Sequence, residues 1–377
     1  MRVDPSSIRV VGGDGGGTRL RLALADGAGR ILSRRMGPPG LVEPGGEARV
    51  AARITDEVTA LAREVGAPLP VDAICIGLAG VGRTERAEAV RSALEAAGVA
   101  RLVQVVTDAA VALRDAFGAG VGILLIAGTG SVALARRADG EIGRAGGWGS
   151  LLGDEGSGYR LGLEGLRAGL RGRDGRGPVT ALATELAGAL RGGLGEGASR
   201  AGAGAVGERS KGVGAGAGDG DGAGAGAGGT GTPEGLLTWA ERAGKGQVAA
   251  LAPHVIRLAQ EGDGVARTLV EQALADLVAH VEALREWAAS SLAVDGGGPK
   301  GGMAAVARGA NGGKEVRGAV DGGAVIPVAL SGGLLSPGGP LRDAILALLT
   351  ARGIPVREGP VDAARGAVAM ALEGVSI

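Results

Sequence analysis

The stretch Arg144-Ala-Gly-Gly-Trp-Gly-Ser-Leu-Leu-Gly-Asp-Glu-Gly-Ser-Gly-Tyr159 decides how this sequence is interpreted. Between Gly146 and Gly158 the glycines interrupt any regular helix or strand, yet the stretch also carries a Trp, two carboxylates and two hydroxyls. Glycine lets backbone amides approach an anion closely, and polar side chains held between glycine turns suit a hydroxylated ligand. The stretch therefore predicts a ligand-binding loop.

Three further glycine-rich turns are distributed along the chain. They are Gly12-Gly-Asp-Gly-Gly-Gly-Thr18, Ile126-Ala-Gly-Thr-Gly-Ser131 and Leu330-Ser-Gly-Gly-Leu334. Turns of this composition, each following an apolar run and spread over the whole chain, predict a phosphate-binding cleft between two halves of the protein.

Bulk composition limits the classes of protein that remain. The chain has 377 residues, which is enough for two domains with separate cores. Its 40 basic and 40 acidic residues cancel, so no global field attracts nucleic acid or an anionic membrane. Cys75 is the only cysteine, which excludes an intrachain disulfide framework and any metal site made of cysteines alone.

Targeting signals are also missing from the pattern. The N-terminus lacks the basic-then-apolar order of a signal peptide, and the apolar runs at 73–79 and 123–127 are too short to span a membrane. We therefore expect a cytoplasmic protein that binds neither nucleic acid nor membranes.

Two segments, Ser199–Gly231 and Gly296–Gly323, hold much of the protein's glycine. Both lack the apolar residues that would offset the entropy of ordering them. We interpret them as flexible insertions without a function of their own. Deleting Gly202–Gly228 is predicted to leave folding and turnover nearly unchanged.

The remaining sequence predicts a mixed α/β protein. Three hairpin-linked strands are followed by alternating helices and strands, an order typical of a mixed sheet with helices on its faces. The predicted strands are 8–13, 20–25, 30–35, 72–78, 102–106, 122–127, 131–137, 324–330 and 354–357, and the predicted helices are 47–65, 83–97, 155–170, 178–190, 247–261, 264–292, 340–351 and 361–373.

Taken together, the motifs resemble the acetate and sugar kinase, Hsp70 and actin superfamily, and within it the N-acetylglucosamine kinase and BadF/BadG/BcrA/BcrD ATPase-type family. The matching segments, in the family's order, are 13–19, 76–80, 106–109, 125–131, 146–159 and 330–333. The resemblance implies a two-domain actin-like ATPase (ribonuclease H-like) fold with an interdomain cleft. We expect the N-terminal domain at 1–130 and the C-terminal domain at 131–377, the latter containing both glycine-rich segments.

The first glycine turn has the chemistry of a phosphate loop. Gly16 and Gly17 offer backbone N–H groups, and Thr18 adds a hydroxyl donor. Asp14 ends the preceding strand and is placed to hold Mg²⁺, mainly through water. Arg19 is a candidate phosphate contact, although it also fits the solvated side of an alternating strand. For the turn as a whole, the alternative is an ordinary hairpin.

Asp108 is the candidate catalytic base. It ends the strand at 102–106 and begins an apolar helix, where a carboxylate can project into a cleft. The alternative is a helix N-cap, a common use of Asp in this position. The family resemblance places the sugar-kinase base on this residue, where it would accept the proton of the attacking hydroxyl.

The resemblance also implies roles for the other glycine turns. Gly128, Thr129 and Gly130 would face the nucleotide phosphates, and Gly332 and Gly333 would let adenosine lie against the backbone. The expected acceptor-binding residues are Asp108, Ser131, Gly147, Trp148, Gly149, Ser150 and Asp154. Alternatives stay open: Trp148 also suits a core anchor, and Asp154 and Glu155 suit the first turn of a helix.

The leading functional hypothesis is an ATP- and Mg²⁺-dependent kinase of an amino sugar such as N-acetylglucosamine or glucosamine, acting as a homodimer. The alternative is a BadF-type ATPase that drives a partner protein, which would need paired exposed cysteines for a shared iron–sulfur cluster. One departure bears on the sugar: the segment 37–43 lacks an Asn that the family commonly uses to bind sugar hydroxyls. His254 and His280 are expected to be ordinary helix residues.

Overall fold

The computed structural model describes residues 7–17, 19–191, 233–293 and 325–375. Thr18 and both glycine-rich segments, 199–231 and 296–323, lie outside the described residues, so the predictions for them stay predictions. The described chain divides into two compact units, one formed by 1–155 and 274–377 and the other by 156–273. This grouping does not follow the expected 1–130 and 131–377 domains, and that division also stays a prediction.

The first unit contains a five-stranded sheet in the order β3-β2-β1-β4-β5. Its strands are β1 (Arg9–Gly15), β2 (Leu20–Asp26), β3 (Ile31–Gly37), β4 (Val71–Leu78) and β5 (Ala100–Thr107). The hairpins join β1, β2 and β3 antiparallel, whereas β1, β4 and β5 run parallel. Parallel strands need crossover connections, and helices α1 (Glu47–Val65) and α2 (Thr84–Ala96) supply them.

A second sheet of the same unit repeats this plan in the order β8-β7-β6-β9. Its strands are β6 (Gly122–Ala127), β7 (Ser131–Arg136), β8 (Ile142–Gly146) and β9 (Val328–Ser331). β6, β7 and β8 form antiparallel hairpins, and β9 pairs parallel to β6. The strand expected at 354–357 is reduced to one parallel bridge between Val328 and Val356.

Helix α3 (Asp108–Phe117) packs against both sheets. Val111 joins the core beneath β1 and β4, while Leu113 and Phe117 pack with Leu124 of β6. The C-terminal helix α12 (Ala363–Gly374) covers the same face of the first sheet, and the Arg365 guanidinium donates to the buried Asp115 carboxylate of α3 at 2.5 and 3.0 Å. Helix α3 is thus held in place from both sides.

The second unit is helical. It contains α5 (Gly158–Arg173), α6 (Leu182–Arg191), α7 (Pro233–Ala240), α8 (Lys245–Ala249), α9 (Ala252–Gln260) and the beginning of α10 (Gly264–Ala293). Polar side chains fix its helices: His254 Nδ1 lies 2.7 Å from Glu185 Oε1, and the Asp263 carboxylate accepts from Thr180 Oγ1 and Ala181 N at 2.8 Å. The remaining helices, α4 (Gly149–Leu152) and α11 (Arg342–Ala351), belong to the first unit.

The elements differ from the sequence predictions in places where local pattern is a weak guide. Strand β8 was missed because two of its five residues are glycines. The helix predicted at 247–261 is interrupted at residues 250–251, and Pro253 lies in the first turn of α9, where a missing N–H costs nothing. No helix in the described residues is long and apolar enough to cross a membrane.

Candidate active site

Two carboxylates meet at the edge of the first sheet where its parallel strands end. Asp14 of β1 is level with Gly77 of β4, and Gly77 is level with Val106 of β5, two residues before Asp108. A side chain at Gly77 would come within 3.2 Å of the Asp108 Cα, so the absence of one lets α3 begin close to β4. The predicted metal ligand and the predicted base therefore lie on neighbouring parts of one edge.

The alternative in which Asp108 is the N-cap of its helix is wrong, because the preceding residue is the cap. The N-cap of α3 is Thr107, whose hydroxyl oxygen accepts from Ala110 N at 3.2 Å, and Asp108 is the first helical residue. Asp108 Oδ1 accepts from Ala109 N at 2.9 Å. Burial raises the pKa of Asp108 above its usual value, and the Ala109 amide opposes that rise. A carboxylate with raised pKa that is not the cap suits proton transfer.

Asp14 lies near one arginine and two other aspartates. Its carboxylate lies 3.3 Å from the Arg21 guanidinium. Burial raises the pKa of Asp14 to about 6; Arg21 opposes the rise, and the charges of Asp108 and Asp362 add to it.

The carboxylates of Asp14, Asp108 and Asp362 suit a hydrated magnesium ion. A divalent cation would relieve the repulsion among the three carboxylates, and Mg²⁺ is commonly held by one or two carboxylates with water completing its shell. Among the described residues no group of three or more His, Cys, Asp or Glu is arranged to hold a metal directly. Asp14 would hold such an ion mainly through water.

The first glycine loop closes a hairpin at the same edge. The Gly16 amide donates to the Arg19 carbonyl oxygen at 3.0 Å, so it is engaged in the turn, while Gly17 has open space around it. Arg19 itself is exposed. The Gly40 amide donates to the Gly16 carbonyl oxygen at 3.0 Å, which places the segment that lacks the family's Asn against this loop.

Two other predicted nucleotide-binding turns are brought together by the second sheet. Because β6 and β9 are parallel, the turn at Gly128–Gly130 and the turn at Gly332–Gly333 follow the same end of that sheet. A Cβ on Gly128 would lie 3.5 Å from Gly333 N. Gly332 has φ +90°, and a Cβ there would lie 2.3 Å from the Ala127 carbonyl oxygen, so glycine is required. Thr129 is exposed at the tip.

The predicted acceptor residues Ser131 and Asp154 contact each other directly. The Ser131 amide donates to Asp154 Oδ1 at 3.2 Å, and the Ser131 hydroxyl donates to the Glu155 carbonyl oxygen at 2.6 Å. Asp154 is only 3% exposed and has φ +60°, a conformation that non-glycine residues rarely adopt. Backbone strain of this kind is often kept at binding sites.

The helix-dipole alternative for Asp154 and Glu155 is wrong. Helix α5 begins at Gly158, and its N-cap is Ser157, whose hydroxyl oxygen accepts from Arg160 N. Asp154 and Glu155 precede the cap and lie outside the first turn. The expected helix start at 155 was early because the start signal is the N-cap Ser157, which follows Glu155 by two residues.

Trp148 is presented at the surface of its loop. Its side chain is 65% exposed, and the Arg144 guanidinium lies over one ring face at 4.5 Å from the centroid. The core-anchor alternative for Trp148 is therefore wrong. Gly147 and Gly149 flank it with positive φ, and Ser150 follows within the short helix α4. One ring face is left for a ligand.

Two residues that the sequence did not indicate support this loop from behind. His280 and Trp287 of α10 face Gly146 and Gly143 of β8: added Cβ atoms would lie 2.1 Å from the His280 ring and 2.7 Å from the Trp287 ring. No local pattern indicated these two contacts, because each joins residues more than a hundred positions apart in sequence.

Two known proteins with similar sequences are named as sugar kinases. The chain is 32% identical over 178 residues to the N-acetylmuramic acid/N-acetylglucosamine kinase of Clostridium acetobutylicum, and 35% identical over 186 residues to the N-acetyl-D-glucosamine kinase of Dictyostelium discoideum. Each match covers 47% of this chain and 58% of the relative, so the similarity spans little more than half the length of those proteins.

Solved structures support the fold over nearly the whole chain. A Chromobacterium violaceum protein with the provisional name N-acetylglucosamine kinase aligns with a TM-score of 0.66 and 27% identity, over 97% of this chain and 99% of its own. A similarly named Porphyromonas gingivalis protein aligns with a TM-score of 0.53 and 16% identity, over 97% and 99%. The expected actin-like ATPase fold class is confirmed.

The family model for BadF/BadG/BcrA/BcrD ATPases matches residues 11–300, which include the first glycine loop, Asp108, the turn at Gly128–Gly130 and the Trp148 loop. The match covers well over half of the chain and confirms the resemblance drawn from the motifs. The protein belongs to the BadF/BadG/BcrA/BcrD ATPase family.

Proposed function

We propose that this protein is an ATP-dependent kinase that transfers the γ-phosphate to a hydroxyl of an amino sugar such as N-acetylglucosamine or glucosamine. The observation that carries the proposal is the environment of Asp108. Its carboxylate is half-buried, has a raised pKa and lies near Asp14, and Thr107 rather than Asp108 is the N-cap of helix α3. General bases have this combination of position and environment.

In the proposed reaction, the sugar hydroxyl oxygen forms a bond to the γ-phosphorus as its proton passes to Asp108. The bond between the γ-phosphorus and the bridging oxygen breaks, and ADP leaves. The turns at Gly15–Gly17, Gly128–Gly130 and Gly332–Gly333 bind the nucleotide. Mg²⁺ held near Asp14 would supply neutralisation of phosphate charge.

The acceptor lies, in this proposal, against the loop between β8 and α5. Trp148 offers an open ring face to the apolar face of a sugar, and the Asp154 carboxylate and the glycine amides bind its hydroxyls. The names of the two relatives support an amino sugar, and one of them adds N-acetylmuramic acid as a candidate.

A coupled assay for ADP formation against a panel of hexoses and amino sugars tests the proposal. We expect slow ATP hydrolysis alone and a many-fold increase with N-acetylglucosamine, glucosamine or N-acetylmuramic acid, together with a phosphorylated sugar by mass spectrometry. Closure around both substrates would exclude water and account for the slow background. Fast hydrolysis that no sugar changes would contradict the kinase and favour a partner-driving ATPase.

The partner-driving alternative is disfavoured by Cys75. It is the chain's single cysteine and is fully buried in β4, so it is not available to ligate a cluster shared at a subunit surface. We also propose that the protein is a cytoplasmic homodimer. Light scattering during size-exclusion chromatography, with a mass near twice 36.6 kDa, is the expected result.

A further inference from the structure

His280 contacts both ends of the loop that carries Trp148 and Asp154. At the start of the loop, a Cβ on Gly146 would lie 2.1 Å from His280 Nε2, so the imidazole fills the space that a side chain there would take. At the end of the loop, Nε2 lies 3.7 Å from Glu155 Oε2. One ring thus lies against two points of the chain that are nine residues apart in sequence.

The orientation of the ring is set by its own helix. His280 Nδ1 lies 2.7 Å from the Asp276 carbonyl oxygen, one turn earlier in α10. Because that carbonyl only accepts, Nδ1 carries the hydrogen of this bond, and Nε2 is the atom turned toward the loop. The side chain is 10% exposed, so few other orientations are open to it.

Glu155 connects the ring to the acceptor residues. Its Oε2 is buried and has no hydrogen-bond partner among the residues that the structure describes, while its carbonyl oxygen accepts from the Ser131 hydroxyl. The Ser131 amide in turn donates to Asp154 Oδ1. A buried carboxylate oxygen without a partner is costly, and the imidazole is the polar group that faces it.

We propose that His280 is a positioning residue for the acceptor: it sets the loop from Gly146 to Glu155 through its contacts at both ends and so places Trp148 and Asp154. The inference rests on the proposed sugar kinase function, because the loop is assigned to the sugar. His280 lies on a helix that is distant in sequence from the loop, and in the proposed reaction it touches neither ATP nor the sugar.

The first test measures the loop without any activity. Hydrogen exchange of the intact protein followed by mass spectrometry compares wild type with His280→Ala and with His254→Ala. His254 is a matched control because it also lies on a helix beside a carboxylate, that of Glu185. We expect exchange of the amides at 147–155 to be about tenfold faster in His280→Ala and unchanged in His254→Ala.

The second test separates positioning from general stability. His280→Ala should raise the sugar KM about tenfold while the KM for ATP changes less than about twofold, because only the acceptor loop is displaced. His280→Gln, whose side-chain amide places an N–H donor near Glu155, should recover most of the sugar affinity. The effects of His280→Ala and Glu155→Gln should be less than additive, since the two side chains act through one contact.

The outcomes distinguish the two proposals. If no sugar stimulates the wild-type protein, the proposed function fails, and the exchange experiment still decides whether His280 sets the loop. Unchanged exchange at 147–155 in His280→Ala overturns the inference. So does an unchanged sugar KM in that variant when wild type phosphorylates sugar, or an equal rise in both KM values.

Discussion

The two sheets of the first unit share one plan but carry different chemistry. Each begins with an antiparallel three-strand meander and adds parallel pairing on the far side of its first strand. Each has a glycine turn after that first strand, at Gly15–Gly17 and at Gly128–Gly130. In the first sheet Asp14 lies near the end of β1 and Asp108 directly follows β5, whereas β6 and β9 end at Ala127 and Ser331 without a carboxylate at the corresponding strand ends.

The same strand plan therefore presents different groups at the strand ends of the two sheets. The first sheet places two aspartates at one edge, where burial raises the pKa values of both, and neighbouring carboxylates add to the rise at Asp14. The second sheet brings two glycine turns close together, and its β8 strand leads into the loop that carries Trp148. We expect that Asp108 of the first sheet carries the chemistry and that the second sheet contributes a closely fitted backbone.

The largest expected effect is on turnover in Asp108→Asn. The amide keeps the size of the side chain but does not accept a proton, so kcat should fall by on the order of 10²-fold or more. ATP affinity, measured by calorimetry, should stay within about twofold because the base lies on the acceptor side.

Thr107→Ala is the matched control for Asp108. Thr107 is the actual N-cap of α3, so its loss should lower the free energy of unfolding by about 1 kcal/mol and leave kcat nearly unchanged. If Asp108→Asn retained normal turnover and lost stability instead, Asp108 would be structural and the chemical distinction between the sheets would disappear.

The next effect concerns the backbone fit of the second sheet. In Gly332→Ala the new Cβ meets the Ala127 carbonyl oxygen and the backbone keeps φ +90°, so the free energy of unfolding should fall by about 2 kcal/mol or more. Gly333→Ala is the control, since no atom lies within 4 Å of its added Cβ, and its stability should change by less than about 0.5 kcal/mol. Urea titrations measure both.

Gly17→Ala makes the corresponding test in the first sheet. Its added Cβ also meets nothing within 4 Å, so stability should be retained. Weaker ATP binding at unchanged stability would assign the loop to the phosphates. Equal destabilisation of Gly17→Ala and Gly332→Ala would show that the two turns are constrained alike.

Much of the fold was predictable because its strands and helices carry strong local patterns. Helix α1 and strand β6 have the predicted bounds, and the motifs indicated the family correctly. The glycine turns and Asp108 were found because turn chemistry and strand ends are local features.

The rest depends on contacts between residues far apart in sequence. The support of Gly146 by His280 joins residues separated by more than a hundred positions, and no local pattern indicates it. The strain at Asp154 and its bond to Ser131 likewise arise from tertiary structure. Whether Thr107 or Asp108 caps α3 is a choice between neighbours that depends on the backbone angles at the end of β5.

Asp14 should show a smaller effect, on stability. Its pKa is raised from 3.8 to about 6, so the folded protein binds this proton more tightly than the unfolded chain. The contribution of Asp14 to the free energy of unfolding is therefore lost as the pH rises from about 4 to about 6. Asp14→Asn in metal-free protein should be about 1–3 kcal/mol more stable at pH 7.5, as measured by urea titration.

Asp139→Asn is the control, because Asp139 is exposed on the β7–β8 hairpin of the second sheet and should leave stability unchanged within about 0.5 kcal/mol. Added Mg²⁺ and ATP should stabilise wild type more than Asp14→Asn. A destabilised Asp14→Asn variant would mean that its pairing with Arg21 outweighs the burial of its charge.

The smallest effect is expected at Cys75, in the middle strand of the parallel part of the first sheet. Burial raises the pKa of its thiol to about 12, and the side chain is inaccessible. Because the thiolate is the nucleophile, native protein at pH 8 should not react with iodoacetamide over an hour, whereas protein in guanidinium chloride should react completely. Cys75→Ala should retain normal turnover and lose less than about 1.5 kcal/mol of stability, because the change in volume is small. Rapid alkylation of the native protein would show that β4 opens in solution, and the first sheet would then be too mobile to hold Asp14 and Asp108 in register.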